Sequence, residues 1–75
     1  MSKYSYNNED ITLDMMIKIE QIVRILSEKN QITFDEMLEK FYASKTYKAL
    51  INTKNCLWAE SSEFIADEYE RELMV

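Results

Sequence analysis

Seventy-five residues pass without one glycine or one proline. The chain therefore lacks the two residues that most strongly punctuate backbone structure, and with them most of the turn chemistry that tight β-hairpins require. Helices joined by asparagine-rich corners are what remains. The expectation is an all-α, compact three- to four-helix bundle with a short extended segment near residues 56–58. Residues 1–10, polar and tyrosine-containing without periodicity, read as a flexible N-terminal arm, and 11–75 as a single helical domain.

A chain of this length buries only roughly 60% of its unfolded surface, so one small core is all it can build. The usual reinforcements are missing. One cysteine closes no intramolecular disulfide, and a single cysteine with no histidine excludes the common structural zinc sites. Either the helices pack well unaided or a second chain completes the core. No apolar run approaches the roughly 18 residues of a membrane span, and residues 1–10 are too polar for a signal peptide. The expected location is the cytoplasm, with no membrane contact and Cys56 reduced.

Helical periodicity appears first between Thr12 and Lys29. Met15, Met16, Ile19, Ile22, Val23 and Leu26 fall in one wide arc, with Asp14, Lys18, Gln21, Arg24 and Glu28 opposite. Ile17 and Ile25 lie off that stripe and Leu13 at its margin. This helix is thus expected to be central in the bundle or to meet another chain. Asn30 suits the left-handed conformation that ends a helix. Thr33 with Glu36 three residues on fits a capping box, and Ile32 with Met37 a hydrophobic staple. The buried face of this second helix is then Phe34, Met37, Leu38 and Phe41. The pattern restarts at Ser44, as a kink or as a new cap, with Tyr47, Leu50 and Ile51 facing inward. Residues 52–55 read as a turn. Ser61 or Ser62 caps a last helix whose inner line is Ile65, Tyr69 and Leu73.

Charge is unevenly spread. Residues 1–39 hold eight acids and four bases, 40–59 hold four lysines and no acid, and 60–75 hold six acids against Arg71, for a total of −5. The basic middle either pairs with the acidic end inside the fold or forms a free surface.

Catalytic signals are lacking. No histidine supplies a proton shuttle near neutral pH, no glycine-rich loop cradles a phosphate, and the carboxylates Glu60, Glu63, Asp67, Glu68, Glu70 and Glu72 show no calcium-loop spacing. Cys56 has only Lys54 nearby to favour a thiolate and reads as a buried, inert thiol. No enzyme activity, cofactor or metal is expected. Met15, Met16 and Met37 suit an adaptable groove, but at helical spacing such residues are more often ordinary core. Between Lys40 and Trp58, lysines alternate with rings that so small a core cannot all shelter. Lys40, Tyr42, Lys45, Tyr47, Lys48, Lys54 and Trp58 are therefore the expected partner-binding residues, for another protein or a second copy of the chain. Cations interleaved with stacking rings also suit single-stranded nucleic acid. The same segment lacks the arginines that bidentate base reading favours, which makes nucleic acid the less favoured partner.

Phe41, Ser44, Lys45-Thr46-Tyr47, Leu50, Leu57-Trp58, Ser61-Ser62 and Ile65 form a pattern that resembles a family of small bacterial proteins, the domain of unknown function 3791. That family shows a helical region, an F-x-x-S-x-T-Y-x-x-L segment, a short turn, and an aromatic residue followed by S-x-x-Y/F-I. The likeness covers about Ile11 to Leu73. It implies no catalytic residue. It implies instead a companion to a second protein, in some cases of an ADP-ribosyltransferase-like type, and hence an antitoxin or accessory role. Phe64 stands where the pattern has tyrosine, which bears only on a hydroxyl contact.

Overall fold

A computed structural model describes residues 5–6, 9–52, 54 and 57–74 of the chain. It is an all-α helical bundle. The helices are α1 (Thr12–Asn30), α2 (Phe34–Tyr42), α3 (Lys45–Ile51) and α4 (Ser62–Leu73). Leu57–Ala59 adds a single 3-10 turn before α4. Two-residue strands, β1 (Ser5–Tyr6) and β2 (Glu9–Asp10), pair antiparallel ahead of α1, with Ser5 opposite Asp10 and Tyr6 opposite Glu9. That ladder occupies the region expected as an arm.

Hydroxyl caps set three of the helix starts. Thr33 Oγ1 accepts from the Glu36 amide at 3.2 Å, Ser44 Oγ from Tyr47 at 3.0 Å, and Ser61 Oγ from Phe64 at 3.1 Å. Each relieves one of the amide donors that a helix's first turn leaves unmatched. Of the two candidate serines before α4, Ser61 is the cap. Ser62 is buried and donates its hydroxyl to Gln21 Oε1 of α1 at 2.7 Å. Ser44 also settles the question of kink or break: α2 stops at Tyr42 and α3 begins anew.

The end of α1 is displaced from its expected place. Gln31, not Asn30, takes the left-handed conformation, with φ 56° and ψ 44°, while Asn30 remains helical and its Nδ2 donates to Leu26 O at 2.8 Å. The Gln31 and Ile32 amides both donate to Ser27 O, the latter at 3.1 Å, which closes the helix in the manner of a Schellman motif. With no glycine to spend, the chain places a Cβ-bearing residue where glycine costs least.

α1 is the spine of the bundle. It packs against α4 on one side and α2 on the other, and α3 closes on α4, α2 and the 3-10 turn. Met15, Ile19, Ile22, Val23 and Leu26 of α1 join Met37 and Phe41 of α2, Leu50 of α3, and Ile65, Ala66 and Tyr69 of α4 in one core, with Ile11 at its edge. Phe41 is fully enclosed, its ring 5.8 Å from Tyr47 and 5.9 Å from Tyr69, both tilted steeply as aromatic quadrupoles prefer. Burial, and then the nearby Glu72 charge, raise the Tyr69 phenol above its ordinary pKa.

Several expected core residues are not enclosed. Met16 is exposed, because it points away from the line through Met15 and Ile19 toward the outer edge of the α1–α2 seam. Leu73 is exposed because it closes the last turn of α4 and overhangs an open depression beside Ile32 and Tyr69. Phe34, Leu38, Tyr47 and Ile51 are only half-buried. The segment expected to be extended is helical at Leu57 and Trp58, both of which are half-buried against the core. Cys56 lies outside the described residues.

The left-handed turn at Gln31 gives a direct check. Gln31→Gly is expected to stabilise the protein by about 0.5–1 kcal/mol in urea unfolding, since relief of the Cβ clash exceeds the added freedom of the unfolded chain. A loss of stability contradicts this account of the α1 terminus.

Candidate protein-binding face

Most polar groups on the α4 side of α1 are engaged. Lys18 Nζ donates to Glu60 O at 2.7 Å, Ser62 bonds Gln21, and Lys29 Nζ donates to Glu70 Oε1 at 2.7 Å. The hydrogen bond to Glu70 and its charge raise the Lys29 pKa. These contacts fix α4 along α1 and leave that face little to offer a partner.

The outer face of α1 is different. Leu13 is 70% exposed, Met16 59% and Ile17 48%. Leu13, three and four residues before them, neighbours both, while Met16 and Ile17 diverge on either side of it, Met16 toward α2 and Ile17 toward Trp58. Met16 and Ile19 also line a groove of about 360 Å³ whose other wall is Phe34, Leu38 and Tyr42 of α2, with Thr12 and Glu20 at its margins. Tyr42, 47% exposed, closes one end of that wall. The apolar strip of α2 thus faces the apolar strip of α1 across a cleft that neither fills. Carboxylates surround it: Glu20 lines it, and Asp35 and Glu39, both exposed, follow Leu38 and Tyr42 around the outer surface of α2. Arg24 pairs with Glu20 at 3.5 Å on the exposed side.

The seven residues expected to meet a partner are distributed around the bundle. Tyr42 and Tyr47 touch edge to face, with ring centroids 4.9 Å apart. Lys40 lines the depression that holds Tyr69 and Leu73. Lys45 begins α3 and borders a hollow of about 500 Å³ between α3 and α4, together with Leu57, Glu68 and Arg71. Lys48 stands exposed in the last turn of α3, and Lys54 is exposed in the following turn. Trp58 lies half-buried across the bundle from Tyr42's groove, beside Asp14, Ile17 and Lys18. Tyr42 alone among them lines the α1–α2 groove. Leu13, Met16 and Ile17 are outside that set, although the periodicity places Ile17 off the main stripe of α1 and Leu13 at its margin.

Charge does pair between the basic middle and the acidic end, but largely through the backbone. Glu72 accepts from the amides of Lys45 and Thr46, each at 2.9 Å, and from Thr46 Oγ1 at 2.8 Å. With Ser44 Oγ holding the Tyr47 amide and Ser44 O accepting from Lys48 N at 3.4 Å, the opening amides of α3 are all matched. A carboxylate in the last turn of α4 opposes that helix's own dipole; here the positive end of α3 compensates it. Partial burial on its own raises the Glu72 pKa. The hydrogen bonds from Lys45 and Thr46 and the Lys45 charge outweigh it and hold the carboxyl below its ordinary value of 4.5. Among the described residues the ion pairs are Arg24–Glu20, Lys29–Glu70 and Arg71–Glu68, so Lys40, Lys45, Lys48 and Lys54 form none.

Among the described residues, no three cysteine, aspartate or glutamate side chains gather in a way that would hold a metal ion. Nor is any helix among them long and apolar enough to cross a membrane. Comparison with protein-family models, with curated proteins and with solved structures finds no match for the chain.

The Glu72 clamp predicts a specific pH response. A carboxyl whose folded pKa is depressed stabilises the fold above its unfolded value, and that contribution is lost as pH falls from about 4.5 through the lower folded pKa. Glu72→Gln is expected to cost about 1–2 kcal/mol at neutral pH and to flatten the acid limb of the stability curve below pH 4.5. An unchanged acid limb in urea titrations contradicts the clamp.

Proposed function

We propose that this chain is a small helical protein–protein interaction module of the cytoplasm, an accessory subunit or antitoxin-like companion of a neighbouring protein. Its contact surface is the α1–α2 face. The supporting observation is that Met16 and Tyr42, both largely exposed, meet at one groove, with exposed Leu13 one turn before Met16 on α1, in a fold that encloses Met15, Ile19 and Phe41. A contiguous apolar patch rimmed by polar groups marks interaction surfaces in small soluble proteins. The companion role draws on the resemblance carried by Phe41, Ser44, Thr46-Tyr47, Leu50 and Ser61.

The second reading is a nucleic-acid binder, favoured by the four lysines that stand outside the ion pairs. Their dispersal over separate depressions supports it less well, because backbone-tracking proteins align cations along one groove.

One comparison separates the two. In affinity capture from the native host, Leu13→Ser/Met16→Ser is expected to lose the bound protein, while Lys40→Ala/Lys45→Ala/Lys48→Ala keeps it. Capture that survives the first variant and fails with the second, or a captured species that is nucleic acid released steeply by salt, overturns the module reading in favour of the lysine surface.

A further inference from the structure

We infer that the α1–α2 groove receives a basic amphipathic helix from its partner. This rests on the module reading above and specifies what the module binds.

The groove has the form that suits a helix. Two apolar strips face each other, Met16 and Ile19 on α1 against Phe34, Leu38 and Tyr42 on α2. Leu13, one turn before Met16, extends the α1 strip outward. An amphipathic helix seats its residues at i, i+3, i+4 and i+7 in such a cleft, adding a third helix to a pair that already covers its other side. Met16 supplies an adaptable thioether at the mouth, able to repack around branched side chains.

Charge selects among the apolar occupants. Glu20 borders the groove, and Asp35 and Glu39 line the outer flank of α2, against Arg24 as the opposing base on α1. A ligand flanked by lysine or arginine meets opposite charge at this rim, and one flanked by acids meets repulsion. The same argument disfavours a second copy of the chain. A two-fold interface through this face would bring each copy's Glu20, Asp35 and Glu39 toward their counterparts. Anionic surfaces, whether phosphate backbone or lipid headgroup, meet the same acidic rim and a total charge of −5.

The test uses two synthetic helices of about 18 residues, long enough to hold helical structure. Both carry leucine at i, i+3, i+4 and i+7, and the remaining positions are mainly lysine in one and mainly glutamate in the other. Binding to the full chain is read by fluorescence anisotropy. The lysine peptide is expected to bind at least about tenfold more tightly than the glutamate peptide. Leu13→Ser/Met16→Ser, which leaves the charge unchanged, is expected to weaken it by about tenfold or more. Glu20→Gln/Asp35→Asn/Glu39→Gln is expected to weaken it and to flatten its salt dependence. Glu28→Gln/Glu63→Gln/Asp67→Asn removes the same charge away from the groove and is expected to leave affinity close to that of the parent.

Equal loss in the two charge variants, or none in the serine variant, means diffuse attraction and overturns the inference. So does a glutamate peptide that binds as well as the lysine peptide. Self-association in sedimentation velocity that disappears in the serine variant overturns it in favour of a second copy and leaves the module reading intact. The module reading fails separately, when host capture is indifferent to Leu13 and Met16.

Discussion

The structure depends on one imbalance in α1: its apolar residues span a wider arc than the other three helices cover. Met15, Ile19, Ile22, Val23 and Leu26 are enclosed between α2 and α4, while Leu13, Met16 and Ile17 remain outside. Here α2 and α3 hold nine and seven residues, and the side chains they enclose, Met37, Phe41 and Leu50, are already committed to the shared centre. A short chain with a strongly apolar spine is left with bare surface, since its interior is limited by its size. The Met16 edge of that surface borders the open side of the α1–α2 seam, so the packing deficit runs into the candidate binding face.

The opposite side of α1 shows how the remaining elements are held. Ser62–Gln21, Lys18–Glu60 and Lys29–Glu70 run along the α1–α4 contact, and Glu72 fastens the far end of α4 to the start of α3. The Lys29 pair is exposed and contributes little by itself. Glu72 matters more because it meets backbone amides that have no helical partner of their own, and an unmatched donor costs more than an ordinary hydrogen bond contributes. With α3 so short, its start depends on Ser44 from within and Glu72 from without. The chain thus orients its shortest helix without glycine, proline or an intramolecular disulfide.

Local features were the legible ones. Thr33, Ser44 and the pair Ser61-Ser62 announce helix starts because a cap is made within three residues, and the structure forms all three caps, the last with Ser61. The same signals give a bundle of three to four helices, and the break at Ser44 decides for four. The end of α1 slipped by one residue because glutamine lacks the statistical preference that pointed to Asn30; the amide of Asn30 bonds back into the helix instead. Met16 and Leu73 were misplaced because periodicity gives the direction of a side chain and not whether another helix reaches it. Glu72 was unreadable as a cap, for its partners lie 26 and 27 residues away and only the crossing of α3 and α4 brings them together. The expected partner-binding set followed sequence proximity; folding separates Lys40, Lys45 and Trp58 onto three sides. What did carry forward was the premise that some rings must stay bare: Tyr42 and Phe64 do, although aliphatic Leu13 and Met16 are barer still.

The central claim is that α1 has one sealed apolar face and one bare apolar face, and the neighbours Met15 and Met16 report on each. In methyl NMR of the isolated protein with a soluble paramagnetic agent, the Met16 methyl is expected to broaden strongly while the methyls of Met15 and Met37 stay sharp. Equal broadening of Met15 and Met16, or a Met16 methyl as protected as that of Met37, contradicts the division of α1 on which the binding face depends.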